Sequence, residues 1–167
     1  INSGPDGETR FDVRESLKGN PKTIVIDPRQ TILAKRADIW LQLRPGTDDA
    51  LALAMLHTII EEKLYDTEFV ANWTYGFDAL AERVRAYSPE WAAPITWVPA
   101  EKIRAAARLY AKTKPSMMEW GCAIEHTPNC IQTVRAISML PALTGNIDVP
   151  GGWVFGMKGL GRFPSLI

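Results

Sequence analysis

Two short stretches hold the residue types that recognise a nucleotide. The first is Asp27-Pro28-Arg29 and the second is Arg44-Pro45-Gly46-Thr47-Asp48. A carboxylate accepts two parallel hydrogen bonds, which matches the N1–H and N2–H edge of guanine or a pair of ribose hydroxyls. Adenine has no such paired donor edge. An arginine offers a planar fork of N–H groups suited to a phosphate. Gly46 lets backbone come close to a ligand because it has no Cβ. Each acid also has a plainer use. Asp27 fits a strand-end turn, and Thr47 or Asp48 fits the N-cap of a following helix. If Asp49 serves the helix N-terminus, Asp48 is left free.

The flanking elements decide whether these groups meet. Thr23–Ile26 is a short apolar, β-branched run and reads as a buried strand. Pro28 ends it, since proline donates no ladder hydrogen bond. Ile39–Leu43 reads as a second strand, with Trp40 and Gln42 alternating with aliphatics. Gln30–Ala37 is a short link of one or two helical turns. Both motifs therefore follow strand ends, and ligands of parallel α/β sheets collect at carboxyl ends of strands. Asp27, Arg29, Gly46 and Asp48 are expected on one rim of the sheet.

The rest of the chain supplies the cover. Asp49–Leu64 reads as a helix apolar on more than one side, with His57 as a packed, hydrogen-bonded core histidine. Asp66 caps a helix reaching Trp73, and Phe77–Tyr87 reads as another. Ser88–Ala100 holds three prolines and reads as a loop packed by Trp91 and Trp97. Pro99 opens a helix to about Lys112, with Ile103, Ala106, Ala107 and Tyr110 inward. Ser116–Trp120 reads as a third strand, and Ile131–Leu143 as a helix stopped by Gly145 and Asn146. Phe11–Leu17 fits a short helix. The pattern predicts an α/β fold: a mainly parallel, doubly wound sheet with helices on both faces.

Composition narrows the function. The 167 residues suffice for one domain with a sizeable core. Formal net charge is zero, which argues against sequence-independent nucleic-acid binding. No apolar run is long enough to span a bilayer. Cys122 and Cys130 form no CxxC and no four-ligand set, so neither a zinc site nor an iron–sulfur centre is read here. Gly156, Gly159 and Gly161 lack the strand–GxGxxG–helix order of a dinucleotide fingerprint. A first residue other than Met fits a piece of a longer protein.

The segments DPRQT through GFDAL, WGCAIEH, and TGN followed three residues later by PGG, resemble the molybdopterin oxidoreductase family of the dimethyl-sulfoxide-reductase type. The resemblance runs over nearly all of 23–152. It implies a bis(molybdopterin guanine dinucleotide) cofactor carrying molybdenum or tungsten. It places Asp27 and Arg29 at positions that contact one guanosine half, and Gly46 and Asp48 at positions that hold its guanine end. Cys122 and His126 match positions that line the pterin side, although the family more often has glycine or methionine and then glutamine there. The alternative for both is a strand-end loop. Neither residue is read as a metal ligand.

The resemblance further implies that this chain is a fragment of a larger multidomain enzyme. The parent's other domains, an upstream iron–sulfur segment and an electron-transfer subunit would be its partners. Residues 151–167 would run between domains, and Lys158 stands near the place of an active-site arginine of formate dehydrogenases. A lysine cannot clamp formate bidentately, which lowers formate oxidation as the reaction. The competing reading is a non-catalytic nucleotide- or partner-binding α/β module.

Overall fold

The computed structural model describes residues 19–153. The first strand, β1 (Ile24–Ile26), runs into a short helix, α1 (Ile32–Arg36), and then β2 (Ile39–Leu41). The strands are parallel, with Ile24 opposite Ile39 and Ile26 opposite Leu41. Helix α1 starts where Thr31 accepts a hydrogen bond from the Ala34 N–H. The pleat splits the side chains. Val25 and Trp40 pack with Leu33 and Ala34 of α1, while Ile24, Ile26, Ile39 and Leu41 join the main core. Helices thus cover both faces of a small parallel sheet. The described residues hold two strands, fewer than the sequence suggests.

The main core is built on α2 (Asp48–Glu61). Ala50, Leu51, Ala54, Met55, Leu56 and Ile59 are all buried, so the helix is enclosed on several sides, as its composition requires. It stops earlier than the apolar pattern suggests. Lys63 takes a left-handed conformation, and the Leu64 N–H returns to the Ile59 carbonyl. His57 Nδ1 lies 2.9 Å from the Val84 carbonyl oxygen, so the histidine is hydrogen-bonded as anticipated, although half-buried and not in the core.

Around α2 stand α3 (Thr67–Trp73), α4 (Phe77–Val84), α5 (Pro89–Thr96), α6 (Ala100–Lys112), α7 (Cys122–Glu125) and α8 (Cys130–Leu143). Helix α2 packs on α4, α5, α6 and α8. Asp66 caps α3 by accepting from the Phe69 N–H, and Ile103, Ala106, Ala107 and Tyr110 form the inner face of α6.

Two expectations change. Ser88–Ala100 is not a loop throughout. Ser88 caps α5, Pro89 takes the first helical position, and Pro94 is accommodated inside the helix. Ser116–Trp120 is not a ladder strand either. It joins no sheet among the described residues, and Met118 and Trp120 pack against the core. Its first N–H is taken by the side chain of Asn146, at 2.9 Å, where a strand would use a neighbouring backbone. The candidate helix Phe11–Leu17 and Lys158 lie outside the described residues.

Past α8 the chain folds back. Gly145 is left-handed, and Asn146 is 1% exposed. Asn146 donates its side-chain amide to Thr144 Oγ1, and its carbonyl accepts from the Trp153 N–H at 2.7 Å. Trp153 also meets Trp120 edge to face. Residues 151–153 therefore seat on this domain.

Candidate functional site

Past the carboxyl ends of β1 and β2 lies a cavity of about 290 Å³. Asp27, Gly46 and Asp48 line it together, so both sequence motifs reach one place.

Asp27 sits at the end of β1 and is 7% exposed. Its N–H donates to the Leu41 carbonyl, and its own carbonyl accepts from Trp40 Nε1 at 2.9 Å. Its Oδ1 accepts from the Arg29 N–H at 2.8 Å, an Asx-turn that bends the chain through Pro28. Gln42 Nε2 donates to the Pro28 carbonyl. The acid is thus held by backbone and by β2. The Arg29 side chain is 59% exposed, with Nε 3.6 Å from Asp27 Oδ1, and it does not line the cavity.

Asp48 opens α2. The expected N-cap, Thr47, occupies that position but donates its hydroxyl back to the Arg44 carbonyl at 2.7 Å. Asp49 serves the helix start, with Oδ1 accepting from the Ala50 N–H. Its Oδ2 accepts from Asn129 Nδ2. That division leaves the Asp48 carboxylate to the cavity. Burial pushes its pKa above the ordinary carboxylate range, and the charge of Asp49 adds to the rise. Gly46 is left-handed at φ +79°, with open space where a Cβ would stand. Its backbone angle, and not crowding, calls for glycine there.

The sequence did not single out Glu119, a third acid on the wall. It sits in the segment read as a strand, before the strand end, where no turn motif marks it. Among the described residues no Lys, Arg or His lines the cavity, and most of its wall is apolar, including Met55, Met118, Trp120 and Leu140. Such a wall suits a flat group rich in N–H and O–H donors. It disfavours a phosphate, which would need the arginines outside.

Cys122 and His126 are not brought into this group. Both are exposed at the two ends of α7, while Gly121, Ala123 and Ile124 between and beside them line the cavity. Among the described residues no group of three or more His, Cys, Asp or Glu is placed to hold a metal ion. No helix among them is long and apolar enough to cross a membrane.

Comparison with known proteins gives a consistent result. The family model for molybdopterin oxidoreductase matches residues 9–160. Acetylene hydratase of Syntrophotalea acetylenica is 43% identical over 145 residues, covering 87% of this chain and 20% of that protein. Formate dehydrogenase H of Escherichia coli is 41% identical over 147 residues, covering 88% of this chain and 21% of that protein. Dimethyl sulfoxide reductase DmsA of Haemophilus influenzae is 37% identical, with 81% and 19% covered. The structure of acetylene hydratase from Pelobacter acetylenicus superposes with a TM-score of 0.77 at 45% identity, over 80% of this chain and 18% of that one. The chain spans about a fifth of the length of these relatives. Motifs, fold and the matched span agree that this chain belongs to the molybdopterin oxidoreductase family.

Proposed function

We propose that this chain holds the guanosine part of a bis(molybdopterin guanine dinucleotide) cofactor within a larger molybdenum or tungsten oxidoreductase. One observation carries the reading: Asp27 and Asp48 share a cavity at the strand ends that no cationic side chain among the described residues lines. The Asp48 carboxylate, left without a cation there, is an acceptor for the N1–H and N2–H of guanine, and Asp27 Oδ2 for a further donor, its Oδ1 being held by Arg29. Gly46 leaves room for close approach. Arg29, outside the cavity, is available to a phosphate leaving it. Cys122 and His126 are exposed beside the same wall and accessible to the pterin.

The metal, when bound, supplies the redox chemistry. The residues of this chain bind and orient. The reading also includes domains outside this chain, an iron–sulfur segment and an electron-transfer partner. In the parent the two strands would join a larger doubly wound sheet, and 151–167 would continue towards an interdomain surface. The test is guanine nucleotide released by acid from the purified full-length enzyme, per mole of protein. Asp48→Asn is expected to lower it sharply at unchanged melting temperature or above. Full retention of guanine nucleotide by that variant would overturn the assignment.

A further inference from the structure

The turn that carries Gly46 and Asp48 is anchored from outside the cavity, at Arg44. The Arg44 N–H donates to the Thr96 carbonyl at 2.8 Å, and its own carbonyl accepts the Thr47 hydroxyl. Its guanidinium lies 5.3 Å from the centre of the Trp97 indole, within cation–π range. Among the described residues Arg44 has no acidic partner. The indole is therefore the contact that fixes its charged end.

Trp97 holds that ring in an unusual backbone. It closes α5 in the left-handed region, at φ 63°, where helices usually place glycine. A glycine would satisfy the backbone and give no ring. Thr96 before it is fully buried, with its hydroxyl donating to the Ala92 carbonyl and accepting from the Val98 N–H. Val98 is buried in the core. The base of Trp97 is thus held, while the residue as a whole is 66% exposed and its ring lies over Arg44.

We infer that Trp97 is a positioning residue for nucleotide binding: through Arg44 it fixes the Pro45–Thr47 turn and so the direction of the Asp48 carboxylate. This rests on the guanosine-binding reading above. Trp97 does not line the cavity, so it acts through another residue.

The experiment compares Trp97→Gly, Trp97→Phe, Arg44→Gln and Asp48→Asn in the full-length enzyme. Two quantities are read for each: acid-released guanine nucleotide per mole, and melting temperature. Trp97→Gly is expected to lower nucleotide content about three-fold, the size of one cation–π contact, without a lower melting temperature. Trp97→Phe keeps an aromatic face and restores most of the content. Arg44→Gln gives the same loss as Trp97→Gly, and the double variant loses no more than either. Wild-type content in Trp97→Gly, or additive losses in the double variant, would overturn the inference. If Asp48→Asn loses nucleotide and Trp97→Gly does not, only the positioning role fails. If Asp48→Asn keeps it, the guanosine reading itself fails.

Discussion

Asn129 Nδ2 donates to Asp49 Oδ2 at 2.7 Å, joining residues 80 apart in sequence. Asn129 stands at the N-cap of α8 yet does not cap its own helix. Its side chain ties the start of α8 to the start of α2. That tie occupies Asp49 and leaves Asp48 turned to the cavity. Asn129→Ala is expected to reduce unfolding free energy by about 1 kcal/mol, the size of one hydrogen bond to a partly exposed charged group. Urea denaturation measures it, and an unchanged midpoint would show that the tie contributes nothing.

Asp48 has a predictable pH signature. Burial raises its pKa above 3.8, so the folded state binds its proton more tightly than the unfolded chain. Stability from this group is then greatest at low pH. It falls as pH rises from the unfolded value through the raised folded value. Asp48→Asn removes that loss. Its melting temperature is expected above the wild type at pH 7 and equal to it near pH 3, in roughly the window this carboxyl titrates. A variant less stable at neutral pH would mean that the charge has a partner on this chain.

Asp66 should show the opposite sign. Its bond from Lys114 Nζ holds its pKa down, helped by the Phe69 N–H it caps. Its contribution is present above the unfolded pKa and fades as pH falls through the folded one. Asp66→Ala is expected to cost about 1 kcal/mol at pH 7, as lost caps do, and less near pH 2. Thermal unfolding across that range checks it.

Two glycines separate crowding from backbone strain. A Cβ on Gly152 would lie 2.6 Å from the Asn146 carbonyl oxygen and 2.6 Å from Val149 Cγ2. That oxygen accepts the Trp153 N–H and has little freedom to move. Gly152→Ala is expected to cost about 1–3 kcal/mol, as overpacking does. Gly46 is left-handed but uncrowded. Gly46→Ala should cost about 1 kcal/mol, from conformation alone. Equal losses would argue that Gly152 has room the packing denies. Chemical denaturation of both variants decides.

The sequence disclosed the acids because strand ends are local signals. A proline after Ile26 and a Pro-Gly after Leu43 mark where each chain leaves the sheet, and the acids sit there. It did not disclose Glu119, since Ser116–Trp120 reads as a strand ahead of Gly121 and its lack of a ladder depends on a residue 30 positions on. Helix α5 was hidden by its prolines. Three in thirteen residues read as loop, although Pro89 opens a helix and Pro99 precedes the next. The bond between Asp49 and Asn129 has no local trace, because its partners meet only after α2 and α8 pack. Helix α2 was the plainest element, since an apolar helix on several sides can only be central.

Asn146 gives the domain a clasp. It holds Ser116 by one side-chain atom, Thr144 by the other and Trp153 by its carbonyl. The segment it secures carries Glu119 and Trp120 to the cavity. The wall at one end of the cavity is therefore fastened by the stretch of chain that comes last among the described residues. A piece cut after Gly145 would retain α2, both strands and both acids, yet release the opposite wall. The shortest piece that keeps its own hollow extends through Trp153.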